Sequence, residues 1–387
     1  GVTLLTGGAA ALVSVVTSNE VTLNGSEAIT VTDTGTVTAA DLLTIDGKTT
    51  HAVDATGVGA VSGQAAEFQT LLTSTGVQLS TSETIALTDG TLTAATLKSL
   101  DAQPTGLIEA QSLTLVQGAM SDVLVVSSAS GIHLSASENI TLNDATLTAT
   151  DLATLDGRTS GTVDATTALT VKGQAAEFQT LLAANGVALS TSETIELTDT
   201  SLTAAGLLAL DAQPTGLVNA KSLTLMTGAA SDVLVAITAV GLTLSGSEVI
   251  ALDDATVAAA DLNTIDGKTS GIVDAHAAAK LTGDAATVAV AVTAAGISLT
   301  GTELVDLSNT SLAAATLKAV DVATTGKVDA TLATVLTGGA ADVVFVVTSG
   351  GITLNGSEAI TVTDTGTVAA ADLLTIDGKT TTLVDAH

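Results

Sequence analysis

The sequence predicts an α/β solenoid of seven repeats, in which short parallel strands and short helices alternate along a coiling chain. The main observation is that one segment near the start of the sequence recurs almost unchanged near its end. Residues 22–50 come back as residues 353–381 with a single change, Thr38 to Ala369, and looser copies begin near residues 77, 132, 187, 242 and 297. Within each copy, hydrophobic residues recur first with the period of a strand and then with that of a helix. An all-β parallel β-helix is the alternative architecture.

The whole chain is predicted to be one continuous solenoid. We place its repeats at residues 1–56, 57–111, 112–166, 167–221, 222–276, 277–331 and 332–387. The first and last repeats share an extra glycine, Gly35 and Gly366. The second and fourth repeats share the segments GQAAEFQTLL and LDAQPTGL, whereas the third and fifth share SDVLV. Repeats therefore also alternate in pairs.

The first half of each repeat predicts a strand followed by a helix. Residues 222–226 alternate apolar and polar side chains, which is typical of a strand. In residues 63–72, Phe68, Leu71 and Leu72 fall at positions i, i+3 and i+4, which predicts a short helix with one buried stripe.

The second half predicts two strands, a second helix and a closing strand. The strands are typified by residues 132–134 and 140–142, joined by small polar residues, and the closing strand by residues 162–165. Thr38 and Asp41 have the spacing of a capping box at the start of the second helix. Gly47 stands where a helix ends, after the inward-facing Leu42 and Ile45.

These parts give two coils of about 27 residues in each repeat, the coil length of leucine-rich-type solenoids. Fourteen coils about 4.8 Å apart would make a rod of roughly 65–70 Å. The helical stripe and the capping box favour this mixed solenoid over the all-β helix.

Composition excludes several classes of protein. The chain has 10 basic and 40 acidic residues, a net charge of −30, so it repels nucleic acid and anionic membranes and attracts cations. Hydrophobic residues make up 46% but aromatic residues only 1%, which indicates a thin core of small aliphatic side chains and not a disordered chain. There is no cysteine and no apolar run long enough to span a membrane. Because the chain begins at Gly1 without Met, we expect a segment or a processed form.

Four acidic columns appear when the repeats are aligned. The first column is Glu27, Glu83, Glu138, Glu193, Glu248, Glu303 and Glu358. The second column is Asp33, Asp89, Asp144, Asp199, Asp254, Asn309 and Asp364. The third column is Asp46, Asp101, Asp156, Asp211, Asp266, Asp321 and Asp377. The fourth column is Asp54, Glu109, Asp164, Asn219, Asp274, Asp329 and Asp385. Such regularity indicates that the first and third columns define the repeat.

Two interpretations of these columns remain open. Asp and Asn accept hydrogen bonds from turn and cap amides better than other residues do, and every column borders a predicted strand or helix end. Alternatively, neighbouring carboxylates and turn carbonyls bind Ca²⁺, the one cofactor that the sequence suggests. The metal candidates are Asp33, Asp89, Asp144, Asp199, Asp254 and Asp364. Neither an EF-hand loop nor the Gly-Gly-x-Gly-x-Asp nonapeptide occurs.

Catalytic signatures are missing, and we predict that the protein is not an enzyme. The four histidines are scattered without zinc-ligand spacing, and no serine lies in a G-x-S-x-G elbow. Basic residues recur after Asp-Gly, where they would neutralise nearby carboxylates or a helix C-terminus. These residues are Lys48, Arg158, Lys268 and Lys379.

The sequence pattern of the repeats is similar to that of a known class of proteins. Residues 336–342 read LTGGAAD and residues 352–364 read ITLNGSEAITVTD, and the same pattern spans essentially the whole chain. This pattern resembles that of very large bacterial cell-surface repeat proteins of the giant adhesin, S-layer and surface-filament types. The resemblance implies a secreted, extracellular protein at the bacterial surface, often Ca²⁺-dependent.

The sequence thus favours a structural role, an elongated rod or fibre that serves as a surface filament, surface layer or adhesin stalk. The first and last repeats are near copies, and neither has the atypical sequence of a capping repeat. We therefore expect the partner to be the protein itself, as a longer tandem array or as chains stacked head to tail. The alternative is a binding module for a glycan or a partner cell, which the scarcity of aromatic residues disfavours.

Overall fold

A computed structural model of the chain describes residues 1–103, 105–213 and 216–387 and confirms the α/β solenoid of stacked repeats. The chain divides into two compact units, residues 1–195 and 196–387. Pro104, Pro214 and Thr215, in the shared LDAQPTGL segments, lie outside the described residues. Whether the chain forms one continuous solenoid stays a prediction.

The first unit contains strands of two to four residues and seven helices of seven to nine residues within its described part. Its strands are β1 (Leu4–Gly7), β2 (Ala28–Val31), β3 (Thr36–Thr38), β4 (Val53–Asp54), β5 (Ala60–Gly63), β6 (Val77–Gln78), β7 (Thr84–Leu87), β8 (Thr91–Thr93), β9 (Ile108–Glu109), β10 (Leu115–Gly118), β11 (Ile132–His133), β12 (Asn139–Leu142), β13 (Thr146–Thr148), β14 (Val163–Asp164), β15 (Thr170–Gly173) and β16 (Val187–Ala188). Its helices are α1 (Ala9–Val16), α2 (Ala39–Asp46), α3 (Ala65–Thr73), α4 (Ala94–Asp101), α5 (Met120–Val126), α6 (Ala149–Asp156) and α7 (Ala175–Ala183). Strand β17 (Thr194–Leu197) contains the division between the units.

The second unit repeats the same order of elements. Its strands are β18 (Ser201–Thr203), β19 (Val218–Asn219), β20 (Leu225–Gly228), β21 (Leu242–Thr243), β22 (Val249–Leu252), β23 (Thr256–Ala258), β24 (Val273–Asp274), β25 (Lys280–Gly283), β26 (Ile297–Ser298), β27 (Leu304–Leu307), β28 (Ser311–Ala313), β29 (Val328–Asp329), β30 (Val335–Gly338), β31 (Ile352–Thr353), β32 (Ala359–Val362) and β33 (Val384–Asp385). Its helices are α8 (Ala204–Asp211), α9 (Ala230–Thr238), α10 (Ala259–Asp266), α11 (Ala285–Thr293), α12 (Ala314–Ala323), α13 (Ala340–Thr348) and α14 (Ala370–Asp377).

Strands of successive coils pair in parallel and form short sheets of four or five strands. In the first unit the sheet orders are β1-β2-β4-β6, β3-β5-β7-β9-β11 and β8-β10-β12-β14-β16. In the second unit they are β18-β20-β22-β24-β26, β23-β25-β27-β29-β31 and β28-β30-β32-β33. Parallel pairing requires a crossover between partners, and the helices supply part of each crossover.

The sheets run obliquely past the helices. Thr36 lies opposite Ala60 and Ala60 opposite Thr84, a step of 24 residues. Helices α2, α3 and α4, however, begin 26 and then 29 residues apart. The second sheet therefore starts with β3, directly before α2, and ends with β11, directly after α5. The predicted strands at residues 132–134 and 140–142 do form, but as β11 and β12 of different sheets.

The core consists of one row of side chains from each strand and one stripe from each helix. In α2, Ala39, Leu42 and Ile45 are all 0% exposed. In α3, Phe68 and Leu71 are buried, whereas Leu72 is half-buried. Helices α2 to α13 thus bury three residues each, which explains how a chain nearly free of aromatic residues fills its core.

The helix ends follow the predicted capping in part. The Thr38 hydroxyl accepts a hydrogen bond from the Asp41 amide at 3.0 Å, as a capping residue should. Gly47 is the C-cap of α2, but with a right-handed φ of −64° instead of the left-handed conformation that makes glycine common there. In α3, the Gln64 amide donates to the Glu67 carboxylate at 2.8 Å. No helix in the described part of the chain is long and apolar enough to cross a membrane.

Replacing Phe68 with Ala should lower the free energy of unfolding by about 3–5 kcal/mol, because a fully buried aromatic ring leaves a cavity between coils. Phe178, equally buried at the same position of α7, should show a similar loss. Urea unfolding followed by far-UV circular dichroism would measure both. The half-buried Leu72→Ala is the control, and a loss there as large as that of Phe68→Ala would contradict the described packing.

Candidate functional site: the carboxylates between coils

The second column caps helices across the gap between coils. Six of its seven residues accept a hydrogen bond from the first amide of a helix 24 residues earlier, for example Ala9 to Asp33 at 2.6 Å and Ala230 to Asp254 at 2.7 Å. The same bond is made by Asp89, Asp144 and Asp364. An acceptor at a helix N-terminus satisfies a free amide, and a carboxylate also complements the helix dipole. Asp199 occupies the equivalent turn after β17.

Asn309 shows that this position works without a charge. Its side-chain oxygen accepts from the Ala285 amide at 2.6 Å, in the same geometry as the aspartates. A neutral amide is a good capping acceptor, whereas a Ca²⁺ site gains strength from carboxylate charge. Within the described residues, no three His, Cys, Asp or Glu side chains form a group that could hold a metal ion. The calcium interpretation stays a prediction, and the observed contacts are those of caps.

The fourth column lies in the two-residue strands and closes the turn that follows each. Asp54 accepts from both the amide and the hydroxyl of Thr56, at 3.1 and 2.7 Å. The Thr56 hydroxyl, followed by its amide, lowers the pKa of Asp54. Asp164, Asp274 and Asp329 make equivalent turns with lowered pKa values. Asn219 accepts from the Lys221 amide and Asp385 from the His387 amide, and Glu109 instead pairs with His133 at 2.9 Å.

The first column is buried, which its charge alone does not predict. All seven glutamates are 1–3% exposed. A buried carboxylate needs hydrogen bonds or loses its charge. The repeats meet this requirement in different ways, according to the residue two positions before the glutamate.

Four repeats use a glycine in the left-handed conformation. Gly25, Gly246, Gly301 and Gly356 have φ of 75–76°. This backbone points two consecutive amides at the carboxylate, a small anion-binding concavity. Glu27 accepts from the amides of Asn24 at 2.7 Å and Gly25 at 3.0 Å, and the Asn24 amide is the main cause of its lowered pKa. Glu248, Glu303 and Glu358 accept equivalent amide pairs.

The other three repeats lack that glycine, and in two of them a serine hydroxyl donates to the glutamate. Ser80 donates to Glu83 at 2.6 Å and Ser135 to Glu138 at 2.9 Å. In the fourth repeat, neither buried carboxylate oxygen of Glu193 has a well-formed hydrogen bond, and the nearby Ser190 hydroxyl and Glu193 amide lower its pKa by less than burial raises it. Burial raises the pKa of Glu193 above its ordinary value of 4.5. One column thus contains carboxyl groups shifted in opposite directions.

The third column lies in the last turn of the second helix of each repeat, and six of its seven residues lie against a glycine of the next coil. A Cβ added to Gly76 would lie 1.8 Å from Asp46 Oδ1, and at Gly241 it would lie 1.8 Å from Asp211 Oδ1. Equivalent contacts join Asp101 to Gly131, Asp156 to Gly186, Asp266 to Gly296 and Asp321 to Gly351. Real Cβ atoms do not approach so closely, so a side chain at this position would require the aspartate carboxylate to move.

Basic residues join neighbouring coils as well. Arg158 donates to the Leu124 carbonyl at 2.8 Å in the last turn of α5, as expected for a cation at a helix C-terminus. Lys98 pairs with Asp122 at 2.7 Å and Lys318 with Asp342 at 2.8 Å, each between two successive helices. These pairs are partly exposed, so each contributes at most about 1 kcal/mol.

Two cavities lie at equivalent places beside the buried glutamates. One of about 430 Å³ is lined by Val77, Ser80 and Glu83, and one of about 330 Å³ by Leu242, Glu248 and Lys268. The unpartnered Oε1 of Glu83 is buried away from solvent.

Comparisons with known proteins add no family. No protein-family model matches the chain, and no curated protein matches it. The interpretation therefore rests on the contacts described above.

Placing a methyl group at the Asp–Gly contact should destabilise the stack. Gly76→Ala is expected to lower the free energy of unfolding by about 1–3 kcal/mol, because the new Cβ overlaps the Asp46 carboxylate. The double variant Asp46→Ala with Gly76→Ala should recover much of this loss. Gly90→Ala, with open space around its Cβ, is the control. Equal losses for Gly76→Ala and Gly90→Ala in urea unfolding would argue against the contact.

Neutral isosteres should affect Glu193 and Glu27 in opposite directions. At pH 7, Glu193→Gln should raise the free energy of unfolding by about 1 kcal/mol, since it removes a buried carboxylate whose charge burial disfavours. Glu27→Gln should lower it, because the amide pair loses its anion.

The pH dependence of stability tests the direction of each effect independently. Since the pKa of Glu193 is raised on folding, wild-type stability relative to Glu193→Gln should fall as pH rises above about 4.5. Relative to Glu27→Gln, it should instead fall as pH drops below that value. Thermal unfolding between pH 3 and 8 would test both, and parallel curves for all three proteins would contradict the assignment.

Proposed function

We propose that this chain is a structural repeat protein, a stack of coils that serves as an extended spacer or thread. The observation that carries the proposal is where the carboxylates are used. Second-column residues bond helix amides of the preceding coil, and third-column residues pack on glycines of the following one. Because these side chains hold neighbouring coils together, they support a protein whose main role is to form a stack of coils.

The few aromatic residues support the same proposal. The chain has three Phe and no Trp or Tyr. Phe68 and Phe178 are fully buried, and Phe345 is half-buried with the Lys318 ammonium 5.2 Å from its ring centre. Binding surfaces usually depend on exposed aromatic anchors. A module that recognises glycans or partner cells is therefore the less supported alternative, and catalysis is not expected.

The setting we propose is extracellular, at a bacterial surface, as a filament, surface layer or adhesin stalk. Support comes from the resemblance of the repeat grammar to large surface proteins and from the net charge of −30, which keeps a long repetitive object soluble. A cysteine-free chain keeps its fold regardless of whether its surroundings are oxidising or reducing.

The proposal is tested by making the stack longer. A second copy of residues 222–331, inserted after residue 331, keeps the alternation of repeats and adds four coils. Small-angle X-ray scattering should then show a maximum dimension greater by about 19 Å at an unchanged cross-section. A flexible Gly/Ser tail of equal length at the C-terminus is the control. An increase in cross-section, or saturable binding of the unmodified protein on a glycan array, would contradict a purely structural role.

A further inference from the structure

Three Asn-Gly dipeptides occur in the sequence: Asn24-Gly25, Asn185-Gly186 and Asn355-Gly356. All three lie outside helices and strands, and in each the asparagine is exposed and the glycine half-buried. An asparagine before glycine is open to attack by the following backbone amide, because glycine has no side chain to obstruct it. Since the three dipeptides share sequence and exposure, their hydrogen bonds decide which of them reacts.

Hydrogen bonds hold both reacting groups at the first dipeptide. The Asn24 side-chain oxygen accepts from the Ser26 amide at 2.8 Å and from the Ser26 hydroxyl at 2.7 Å. The Gly25 amide, which is the group that would attack, donates to the Glu27 carboxylate at 3.0 Å. An attack on the side chain has to break such bonds first, which raises its barrier.

The third dipeptide is held in the same way, with two further bonds. The Asn355 side-chain oxygen accepts from the Ser357 amide at 2.7 Å and from the Ser357 hydroxyl at 2.6 Å. The Gly356 amide donates to the Glu358 carboxylate at 3.2 Å. The Asn355 side-chain nitrogen also donates to two backbone carbonyls of the preceding coil, at 3.0 and 2.8 Å. This side chain cannot turn toward the glycine amide without losing these bonds.

Asn185 and Gly186 have neither restraint. Within the described part of the chain, the Asn185 side chain has no hydrogen-bond partner, and the Gly186 amide has none either. Both the group that attacks and the group that is attacked are therefore free at this dipeptide.

A missing hydroxyl explains why the Gly186 amide is free. In the second repeat, the Ser74 hydroxyl accepts from the Gly76 amide at 3.0 Å, and the seventh repeat has the same serine bond. The fourth repeat has Ala184 in place of Ser74, so the Gly186 amide lacks that acceptor.

We infer that Asn185 is a site of spontaneous deamidation. The Gly186 amide nitrogen bonds to the Asn185 Cγ, the side-chain nitrogen leaves as ammonia with the amide proton, and a succinimide ring closes. Water then adds to either ring carbonyl and opens the ring, which gives aspartate or isoaspartate. One amide is thus exchanged for one carboxylate, and water is the only co-reactant. The inference is independent of the proposed structural role.

The isoaspartate product changes a joint between two coils. The Gly186 carbonyl accepts from the Val163 amide of the preceding coil at 2.8 Å, beside the pairing of β14 with β16. Isoaspartate adds one carbon to the main chain directly before Gly186, which displaces this carbonyl. Because a lost ladder bond lowers local protection, the Val163 amide should exchange with deuterium at least about tenfold faster in the isoaspartyl protein.

The test follows the three dipeptides in one sample. The full chain is kept folded at mildly alkaline pH, and tandem mass spectrometry of its proteolytic peptides measures the conversion of each asparagine. Asn185 should convert at least about tenfold faster than Asn24 and Asn355, because only those two must first lose hydrogen bonds. In concentrated urea the three rates should converge, because the unfolded dipeptides are alike.

Two substitutions separate the hydrogen bond from the dipeptide itself. Ala184→Ser supplies the missing acceptor and should slow the conversion of Asn185 in the folded protein but not in urea. Thr75→Asn places an Asn-Gly dipeptide beside Ser74, and it should convert more slowly than Asn185. Asn185→Thr, which copies residue 75, should abolish the reaction at this place and keep the Val163 amide protected. Circular dichroism would confirm that every variant is folded.

Three outcomes would overturn the inference: equal rates at the three dipeptides of the folded protein, slower conversion of Asn185 than of Asn24 or Asn355, or folded Ala184→Ser that converts as fast as the unmodified chain. Unchanged exchange of the Val163 amide in the isoaspartyl protein would contradict the effect on the joint between coils.

Discussion

The parallel ladder between successive coils is the constraint on which the rest of the structure depends. It repeats every 23 or 24 residues, as in the pairs Ile85 with Ile108 and Ala60 with Thr84. Helices recur at wider intervals than the paired strands. In each successive coil, the paired strand therefore lies a few residues earlier relative to the helix. A sheet that begins directly before one helix must end after another, and a new sheet has to start with each repeat. The length of the repeat is thus the length over which the ladder and the helices come back into phase.

The many acidic residues fit within a compact stack because most carboxylates of the columns have a hydrogen-bond partner at a fixed place in the repeat. Second-column residues bond amides in the coil before, and fourth-column residues bond their own turns. The first column is buried against backbone amides wherever a left-handed glycine is present. Lowered pKa values at Asp54 and Glu27 show that hydrogen bonds stabilise the charge there. Glu193 is the exception, because burial raises its pKa by more than its hydrogen-bonding surroundings lower it.

How much the sequence predicts depends on the range of the interaction. The helix over residues 65–73 follows from the spacing of Phe68 and Leu71, and the Thr38 cap from local hydrogen-bonding chemistry. The oblique sheets do not follow, because strands of two or three residues carry too little pattern to reveal their partners. Burial of the glutamate column was also missed, since glutamate in a polar loop normally lies in water. A signal for it existed in Gly25 and its equivalents, which recur two residues before the glutamate.

The staggered sheets have a mechanical consequence. In the first unit, the sheet that begins with β3 overlaps along the chain with the sheet that begins with β1 and, at its other end, with the sheet that begins with β8. Where β4 pairs with β6, β5 also pairs with β7, so two different sheets cross the same gap between coils. If the strands of one sheet separated from each other, the separation would reach the last strand of that sheet after four or five coils. At that level the coils are still joined by the middle strands of another sheet. Tension along such a stack is therefore carried by sheets that begin and end at different coils.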